Sequence, residues 1–127
     1  MTKRQVPEHT YAEEEITARL QRELPHWYHE NGRIRRQFRT SGWKSTLMVV
    51  NAIGHLAEAA WHHPSLTVTY ASVTVSLVTH SAKGVTDNDF ALASKIEEVV
   101  QWRPSEDAGS PLRGTPDDAR FRYIKYD

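Results

Sequence analysis

The sequence predicts an α+β fold in which a four-stranded antiparallel sheet carries helices on one face. Three segments repeat apolar residues at the three- and four-residue spacing of an amphipathic helix, and the stretches between them have strand character. Along the 127 residues the elements follow the order α-β-β-α-β-β-α. A chain of this length can bury a core without disulfides, and it contains no cysteine. The order of elements therefore favours one layer of helices packed on one sheet.

The first half of the chain supplies a helix and a hairpin. Residues 11–24 form the predicted helix, with acidic residues in its first turns, and Pro25 ends it. Two strands, His26 to Glu30 and Arg33 to Arg39, flank Asn31-Gly32, the strongest short signal for a hairpin turn. The second strand carries a basic cluster that fits either a solvated sheet surface or docking to an acidic partner, and its members are Arg33, Arg35, Arg36 and Arg39.

The second half supplies a long helix, two strands and a last helix. The central helix is predicted from Gly42 to Trp61, and its wide apolar stripe favours burial against the sheet and against another subunit. The segment from Leu66 to His80 fits two strands around a turn at Ala71-Ser72, or one long bent strand. Thr86 and Asp89 have the spacing of a capping box, and the helix that they open is predicted to bury Phe90, Ala93, Ile96, Val99 and Val100.

Composition divides the chain into three segments and excludes some classes of partner and location. Residues 1–10 are predicted to be a flexible N-terminus, residues 11–103 the folded domain, and residues 104–127 a breaker-rich linker with an aromatic tail. Sixteen basic and sixteen acidic residues cancel, which argues against a nucleic-acid partner. No apolar run has the length of a membrane span and no secretory signal is visible, so a cytoplasmic location is expected.

The most informative residues are three histidines and their neighbours. His62 and His63 stand at the end of the central helix, and His80 ends the second strand pair. Because the ordinary pKa of histidine permits proton transfer near neutral pH, a pocket that gathers all three suits acid–base chemistry. The alternative is that they cap the helix and form local hydrogen bonds. The i, i+4 spacing of a helical zinc pair is absent, so no metal is expected. The other residues predicted to line this pocket are Glu58, Trp61, Pro64, Tyr70 and Asp89.

The spacing of these residues is similar to that of the pterin-4a-carbinolamine dehydratase family. The shared pattern is Glu-x3-His-His-Pro-x5-Tyr-x9-His-x8-Asp, and the likeness extends over roughly residues 15–102. The resemblance implies a fold that dimerises by joining sheets and that forms tetramers through helices in some members. It also implies a reaction, the loss of water from 4a-hydroxytetrahydropterin, with His62, His63 and His80 as acid and base and without a metal or organic cofactor.

Some positions depart from the family pattern. Trp61 stands where the family often has Asn or Asp, and Leu66 stands where it often has Trp. Asn88 replaces a residue that is commonly basic. The indole of Trp61 either fills space that a pterin would need or packs in the core.

The tail from Gly114 to Asp127 resembles the ending of the dehydratase-like proteins of α-carboxysomes, which act as Rubisco assembly factors. On this resemblance the sequence predicts a noncatalytic assembly factor that binds Rubisco subunits or assembly intermediates, is dimeric or tetrameric, and is associated with the carboxysome. The alternative is an active dehydratase that binds a pterin substrate. The tail is expected to bind the partner or to fold back on its own domain or dimer mate, and these two roles are compatible. Its candidate anchors are Phe121, Tyr123, Ile124 and Tyr126.

Overall fold

The computed structural model describes residues 8–127, which form three helices and one four-stranded sheet. The helices are α1 (Glu13–Glu23), α2 (Trp43–Ala60) and α3 (Asp87–Val100). The strands are β1 (Tyr28–Glu30), β2 (Arg33–Arg39), β3 (Ser65–Thr69) and β4 (Ser72–Leu77). The α+β class and the order α-β-β-α-β-β-α are therefore confirmed. The predicted flexible N-terminus lies, for residues 1–7, outside the described part of the chain.

The sheet has the strand order β1-β2-β4-β3, and all its neighbouring strands are antiparallel. At the first hairpin, Asn31 and Gly32 have φ angles of 50° and 72°, the positive values that a two-residue loop between twisted strands requires. At the second hairpin, Tyr70 and Ala71 join β3 to β4, one residue before the predicted turn at Ala71-Ser72. The two turns fix the register of the strand pairs, with Tyr28 opposite Arg35 in the first hairpin and Ser65 opposite Ser76 in the second.

One face of the sheet forms the core. Along β2 the side chains of Ile34, Arg36 and Phe38 are buried, which follows the two-residue period of a strand. The solvated-surface interpretation of the basic cluster is therefore wrong for Arg36. Its guanidinium donates to both carboxylate oxygens of Glu97 at 2.9 and 3.0 Å, and Trp27 donates its indole N–H to the same carboxylate at 2.8 Å. These charge-assisted bonds offset the cost of burying the arginine.

Helix α2 packs on the sheet through a narrower stripe than the sequence predicts. Val49, Ile53 and Ala57 are buried at four-residue spacing. Trp43 and Trp61, which belong to the predicted stripe, are 49% and 76% exposed. Val99 of α3, predicted to be buried, is also exposed. The wide pattern of α2 thus combines one face on the sheet with a second, exposed apolar face that carries Trp43, Leu47 and Met48.

The C-terminal segment closes the edge of the sheet beside β2. β1 pairs only with residues 33–35 of β2, and farther along Lys125 N–H donates to the Arg39 carbonyl at 2.9 Å. Ile124 is buried and forms an antiparallel bridge with Thr40. Asp127 forms an ion pair with Arg36 at 2.6 Å. Of the two roles expected for the tail, the structure shows it folded back on its own domain.

Candidate active site

The predicted histidines meet at one end of the sheet, where the C-terminal end of α2, the end of β4 and the start of α3 converge. There they border a cleft of about 330 Å³. Because β3 and β4 are antiparallel, the start of β3, which follows the histidine pair, lies beside the end of β4, which precedes His80. The cleft is lined by Glu8, Trp61, His62, His63, Val78, Thr79, His80, Ser81 and Asn88.

The chain turns sharply at Trp61, which ends α2 in a left-handed conformation with φ 53° and ψ 46°. The N–H of Trp61 bonds the Glu58 carbonyl, and that of His62 bonds the Ala57 carbonyl, so the last turn of the helix is closed by backbone bonds. Glycine or asparagine usually occupies such a position, because other side chains crowd the following carbonyl. This turn explains why adjacent histidines, His62 and His63, can leave the helix in different directions.

His62 is held by a buried carboxylate. Its Nε2 lies 2.6 Å from Oδ1 of Asp89, and Asp89 is completely buried. The second oxygen, Oδ2, accepts the Thr79 hydroxyl at 2.8 Å and the Thr86 backbone N–H at 2.9 Å. The latter bond belongs to the capping box that opens α3, as predicted from Thr86 and Asp89. Since an ionised carboxylate can only accept, an ionised Asp89 requires the hydrogen on Nε2 of His62 and so fixes the tautomer and the orientation of the ring.

The other two histidines are more exposed. His63 Nε2 lies 2.8 Å from Oε1 of Glu58, and the His63 ring meets the Trp61 indole edge to face, with centroids 5.1 Å apart. His80 begins a short 3₁₀ turn over His80–Ala82, which a bridge between Thr79 and Gly84 closes. Within residues 8–127 the ring of His80 has neither an ion pair nor a hydrogen bond. The cleft therefore offers one tightly held imidazole and two with access to solvent.

Not every predicted pocket residue reaches this cleft. Glu58 acts through His63, Asp89 lies beneath His62, and Pro64 follows the pair outside the lining. Tyr70 is at the other end of α2, where its hydroxyl lies 3.3 Å from the position of a Cβ at Gly42. Since an 18-residue helix is about 27 Å long, Tyr70 is remote from the histidines of its own chain.

Sequence reasoning missed the role of Thr79. Its hydroxyl, which is buried, donates to Asp89 and lies 2.7 Å from the Thr86 hydroxyl. The available signal was its position at the end of a strand directly before His80, where a polar residue facing the core needs a partner.

A second polar network stands beside the cleft, at the first residue of α3. Asp87 Oδ1 accepts the Tyr11 hydroxyl at 2.7 Å and the Arg19 guanidinium at 2.8 Å. These two hydrogen bonds lower the pKa of Asp87 below its ordinary value. In contrast to Asp89, the Asp87 side chain is largely exposed.

Residues 8–127 contain no cluster of three metal-ligating side chains of the His, Cys, Asp and Glu types. In the same part of the chain, the helices are all too short or too polar to cross a bilayer.

The fold and the cleft define an α+β protein whose site is built from histidines and carboxylates. Comparison with known proteins identifies it further: the chain belongs to the pterin 4 alpha carbinolamine dehydratase family, whose sequence model matches residues 9–99. A putative pterin-4-alpha-carbinolamine dehydratase of Aquifex aeolicus is 46% identical over 90 residues, which cover 71% of this chain and 90% of that protein. The resemblance inferred from the histidine pattern is thus confirmed.

Two solved structures extend the comparison. A transcriptional coactivator/pterin dehydratase from Brucella melitensis is 28% identical and has a TM-score of 0.65, covering 72% of this chain and 98% of that one. A pterin dehydratase-like protein described as a RuBisCO assembly factor in the α-carboxysome is 16% identical and has a TM-score of 0.48, covering 66% of this chain and 88% of that one. A likeness this weak carries no argument about function. The comparisons favour the enzyme alternative over the predicted noncatalytic role.

Proposed function

We propose that this protein is an active 4a-hydroxytetrahydropterin dehydratase. The observation that carries the proposal is that His62, His63 and His80 line one cleft. The His62 ring is held there by the completely buried carboxylate of Asp89. Asp89 also caps α3 through Oδ2, and its second oxygen is directed at a histidine of the cleft, an arrangement that is common where a site controls proton transfer. Membership of the dehydratase family and the 46% identity to a putative dehydratase support the same reaction.

The reaction is an elimination that needs one acid and one base. The bond between C4a and the hydroxyl oxygen breaks, and the acid supplies the proton with which that oxygen leaves as water. The base removes the proton from the neighbouring ring nitrogen, and its electron pair forms the new C=N bond of the quinonoid dihydropterin. Atoms and charge balance with no change in oxidation state, and exchange of one proton with water returns the acid and the base to their starting states.

The geometry indicates how the roles divide. Asp89 accepts from His62 and would stabilise the positive charge that His62 gains when it takes a proton, so we assign His62 as the base. Within residues 8–127 His80 forms no ion pair or hydrogen bond to a carboxylate, although Glu8 lines the same cleft and accepts from Ser81, and we assign His80 as the acid that protonates the leaving hydroxyl. His63, held by Glu58 at the rim, is assigned to orient the substrate.

The test follows dehydration of freshly generated 4a-hydroxytetrahydropterin by the purified protein. Removal of one acid or base typically costs about 10²–10⁴-fold in rate, so His62→Ala and His80→Ala should each lower kcat by that factor. His55→Ala is the matched control, because His55 is an exposed histidine of α2 outside the cleft. Wild-type protein that turns over no faster than buffer would refute the proposal, and so would His62 and His80 variants that match the control.

The Rubisco assembly role and the carboxysome association remain predictions, and we place them second. Three of the four predicted tail anchors are engaged on the chain's own domain, since Ile124 is buried and Tyr123 and Tyr126 are half-buried. Phe121 remains 52% exposed and is the anchor available to a partner. Co-expression with Rubisco subunits tests this role: Phe121→Ala should lower the yield of soluble Rubisco if the tail is the working surface, and an unchanged yield contradicts it.

We also propose that the protein forms at least a homodimer. The exposed apolar face of α2, formed by Trp43, Leu47 and Met48, supports self-association, as does the outer edge of β3, which pairs with β4 alone within residues 8–127. Light scattering on the purified chain measures the mass directly, and a mass of one chain at micromolar concentration would contradict the proposal.

A further inference from the structure

Trp61 is unusual in two independent respects. At 76% exposure it is the most exposed of the large hydrophobic side chains in residues 8–127. It also occupies the left-handed conformation that ends α2, which a large side chain adopts at a cost. A bulky aromatic residue at a strained position on a cleft rim is a reason to look for a ligand.

Folding does not account for this indole. The turn at the end of α2 needs only a residue that tolerates positive φ, and asparagine or glycine would serve it better. The core does not need the side chain either, since it leaves most of its surface to solvent. Its aromatic contact is with the ring of His63, edge to face with centroids 5.1 Å apart. The expectation that Trp61 packs in the core is therefore wrong.

The position of Trp61 connects it to the reaction. The residue lines the cleft together with the three histidines, and its indole contacts His63, the histidine assigned to orient the substrate. The remaining lining is mostly polar, with Glu8, Ser81 and Asn88 suited to the edges of a heterocycle rather than to its faces. Trp61 is the large aromatic surface among the lining residues, and the substrate of the proposed function is a flat, conjugated, two-ring system.

We propose that Trp61 is a substrate-binding residue whose indole stacks on a face of the pterin ring and so selects bicyclic over monocyclic heterocycles. This inference rests on the proposed function for the class of ligand. It reverses the expectation that the indole fills space needed by the pterin, because the side chain stands at the rim of the cleft and not in its interior. Aromatic stacking depends on the overlap of flat surfaces, and therefore the second ring of a pterin gains more from the indole than a lone pyrimidine does.

The expected effect is one on affinity. Stacking of a heterocyclic base on an aromatic side chain is worth about 5- to 150-fold in equilibrium binding. Replacing Trp61 by Asn should therefore raise the Kd for 7,8-dihydrobiopterin, a stable bicyclic probe, within that range. Trp61→Phe should retain most of the affinity, because a smaller flat ring remains.

The decisive feature of Trp61→Asn is that stability and affinity should move in opposite directions. Asparagine tolerates the left-handed conformation, so the melting temperature should rise while pterin binding weakens. Calorimetric titration gives the Kd values of wild type, Trp61→Asn and Trp61→Phe for the bicyclic probe and for 2-amino-6-methylpyrimidin-4-one, a monocyclic one. We expect Trp61→Asn to reduce the preference for the bicyclic probe, and in turnover to raise KM much more than it changes kcat.

Two results would overturn the inference. One is an unchanged Kd for 7,8-dihydrobiopterin in Trp61→Asn. The other is a loss confined to kcat with an altered pH profile, which would mean that Trp61 only orders His63. The binding measurement also separates this inference from the proposed function: weaker binding by Trp61→Asn in a protein that shows no turnover would support the stacking role and reject the enzyme activity.

Discussion

Two buried charged side chains, Arg36 and Asp89, organise this molecule in opposite ways. Arg36 bonds Glu97 and Asp127, stacks over the ring of Phe38 at 4.5 Å, and thereby ties β2, α3 and the tail together. Asp89 is buried just as deeply, but one of its oxygens holds His62, whose ring lines the cleft. We call the Arg36 network closed because its described partners all belong to the fold, although Asp127 is partly exposed, and the Asp89 network open because it ends on a histidine of the cleft.

The difference shows where a buried charge serves stability and where it serves a site. A charge withdrawn from water is tolerated when partners satisfy it, and in the Arg36 network every described partner belongs to the fold. In the Asp89 network the backbone N–H of Thr86 and the hydroxyl of Thr79 satisfy one oxygen, and the other acts on a residue that can exchange protons. Loss of the first network should therefore affect unfolding most, and loss of the second should affect turnover most.

The largest expected effect on stability is that of Arg36→Leu. Removal of one partner from a buried ion pair typically costs about 3–5 kcal/mol, because the remaining charge loses its partner in a dry environment. Glu97 retains some exposure, so we expect a loss of about 3 kcal/mol in the free energy of unfolding. Denaturant titration measures this loss. The ion pair to Asp127 also disappears, so proteolysis of the tail should become faster.

Arg39→Leu is the matched control for this variant. Arg39 lies on the same strand but its side chain is exposed, and an exposed substitution usually changes stability by less than about 0.5 kcal/mol. The comparison fails if the two variants lose similar stability. It is also weakened if folded Arg36→Leu loses its dehydratase activity, since a closed network should leave the cleft unchanged.

Asp89→Asn tests the open network and should show the reverse balance. The amide oxygen can still accept from Thr79 and Thr86, so the capping of α3 is largely preserved. The amide N–H₂ would face Nε2 of His62, however, and would require the other tautomer of the ring. We expect kcat to fall by about 10²-fold or more, because one proton-transfer group is disabled.

The readout that separates a positioning role from a structural one is the pH–rate profile. A weakened fold would lower activity equally at every pH, whereas an altered His62 would shift the limb of the profile that reports the base. Thr79→Val provides the comparison, since it removes a hydrogen bond to Asp89 Oδ2 but leaves the bond between Oδ1 and His62. A profile that keeps its shape in Asp89→Asn would reject the assignment of His62.

The same contrast explains what the sequence predicted and what it did not. Features fixed by neighbours in the chain were predictable, including the Asn31-Gly32 turn and the capping box that places Asp89 at the start of α3. The meeting of His62 and His80 followed from a family pattern, not from local physics. The partners of Arg36 are 61 and 91 residues away along the chain, so only the alternation of the strand could predict its burial. A charged residue at an inward-facing position reads as exposed unless its partners are known.

Tyr70 and Trp61 show a second reason for error. The family pattern placed Tyr70 with the histidines, but within its own chain the tight turn after β3 puts it at the opposite end of α2. Trp61 continued the apolar period of α2, although the helix ends there and the left-handed turn carries the indole out to the cleft rim. A periodic pattern holds only as far as the element that generates it.

The smallest expected effect comes from Asp87. Its carboxylate forms hydrogen bonds as short as those of Asp89, but its side chain is exposed to solvent. The Tyr11 hydroxyl and the Arg19 guanidinium keep the pKa of Asp87 below its ordinary value in the folded protein. Its contribution to stability is therefore present above the unfolded-state pKa, about 3.9, and is lost as the pH falls through the lower folded-state value. Asp87→Asn should cost less than about 1 kcal/mol at pH 7, because exposed pairs are screened by solvent, and should cost almost nothing near pH 2.

Thermal unfolding at both pH values measures the difference, with Glu14→Gln as a control that also removes one exposed carboxylate of a helix first turn. A cost for Asp87→Asn as large as that of Arg36→Leu would mean that the presence of a partner, rather than burial, determines what a charge contributes in this protein.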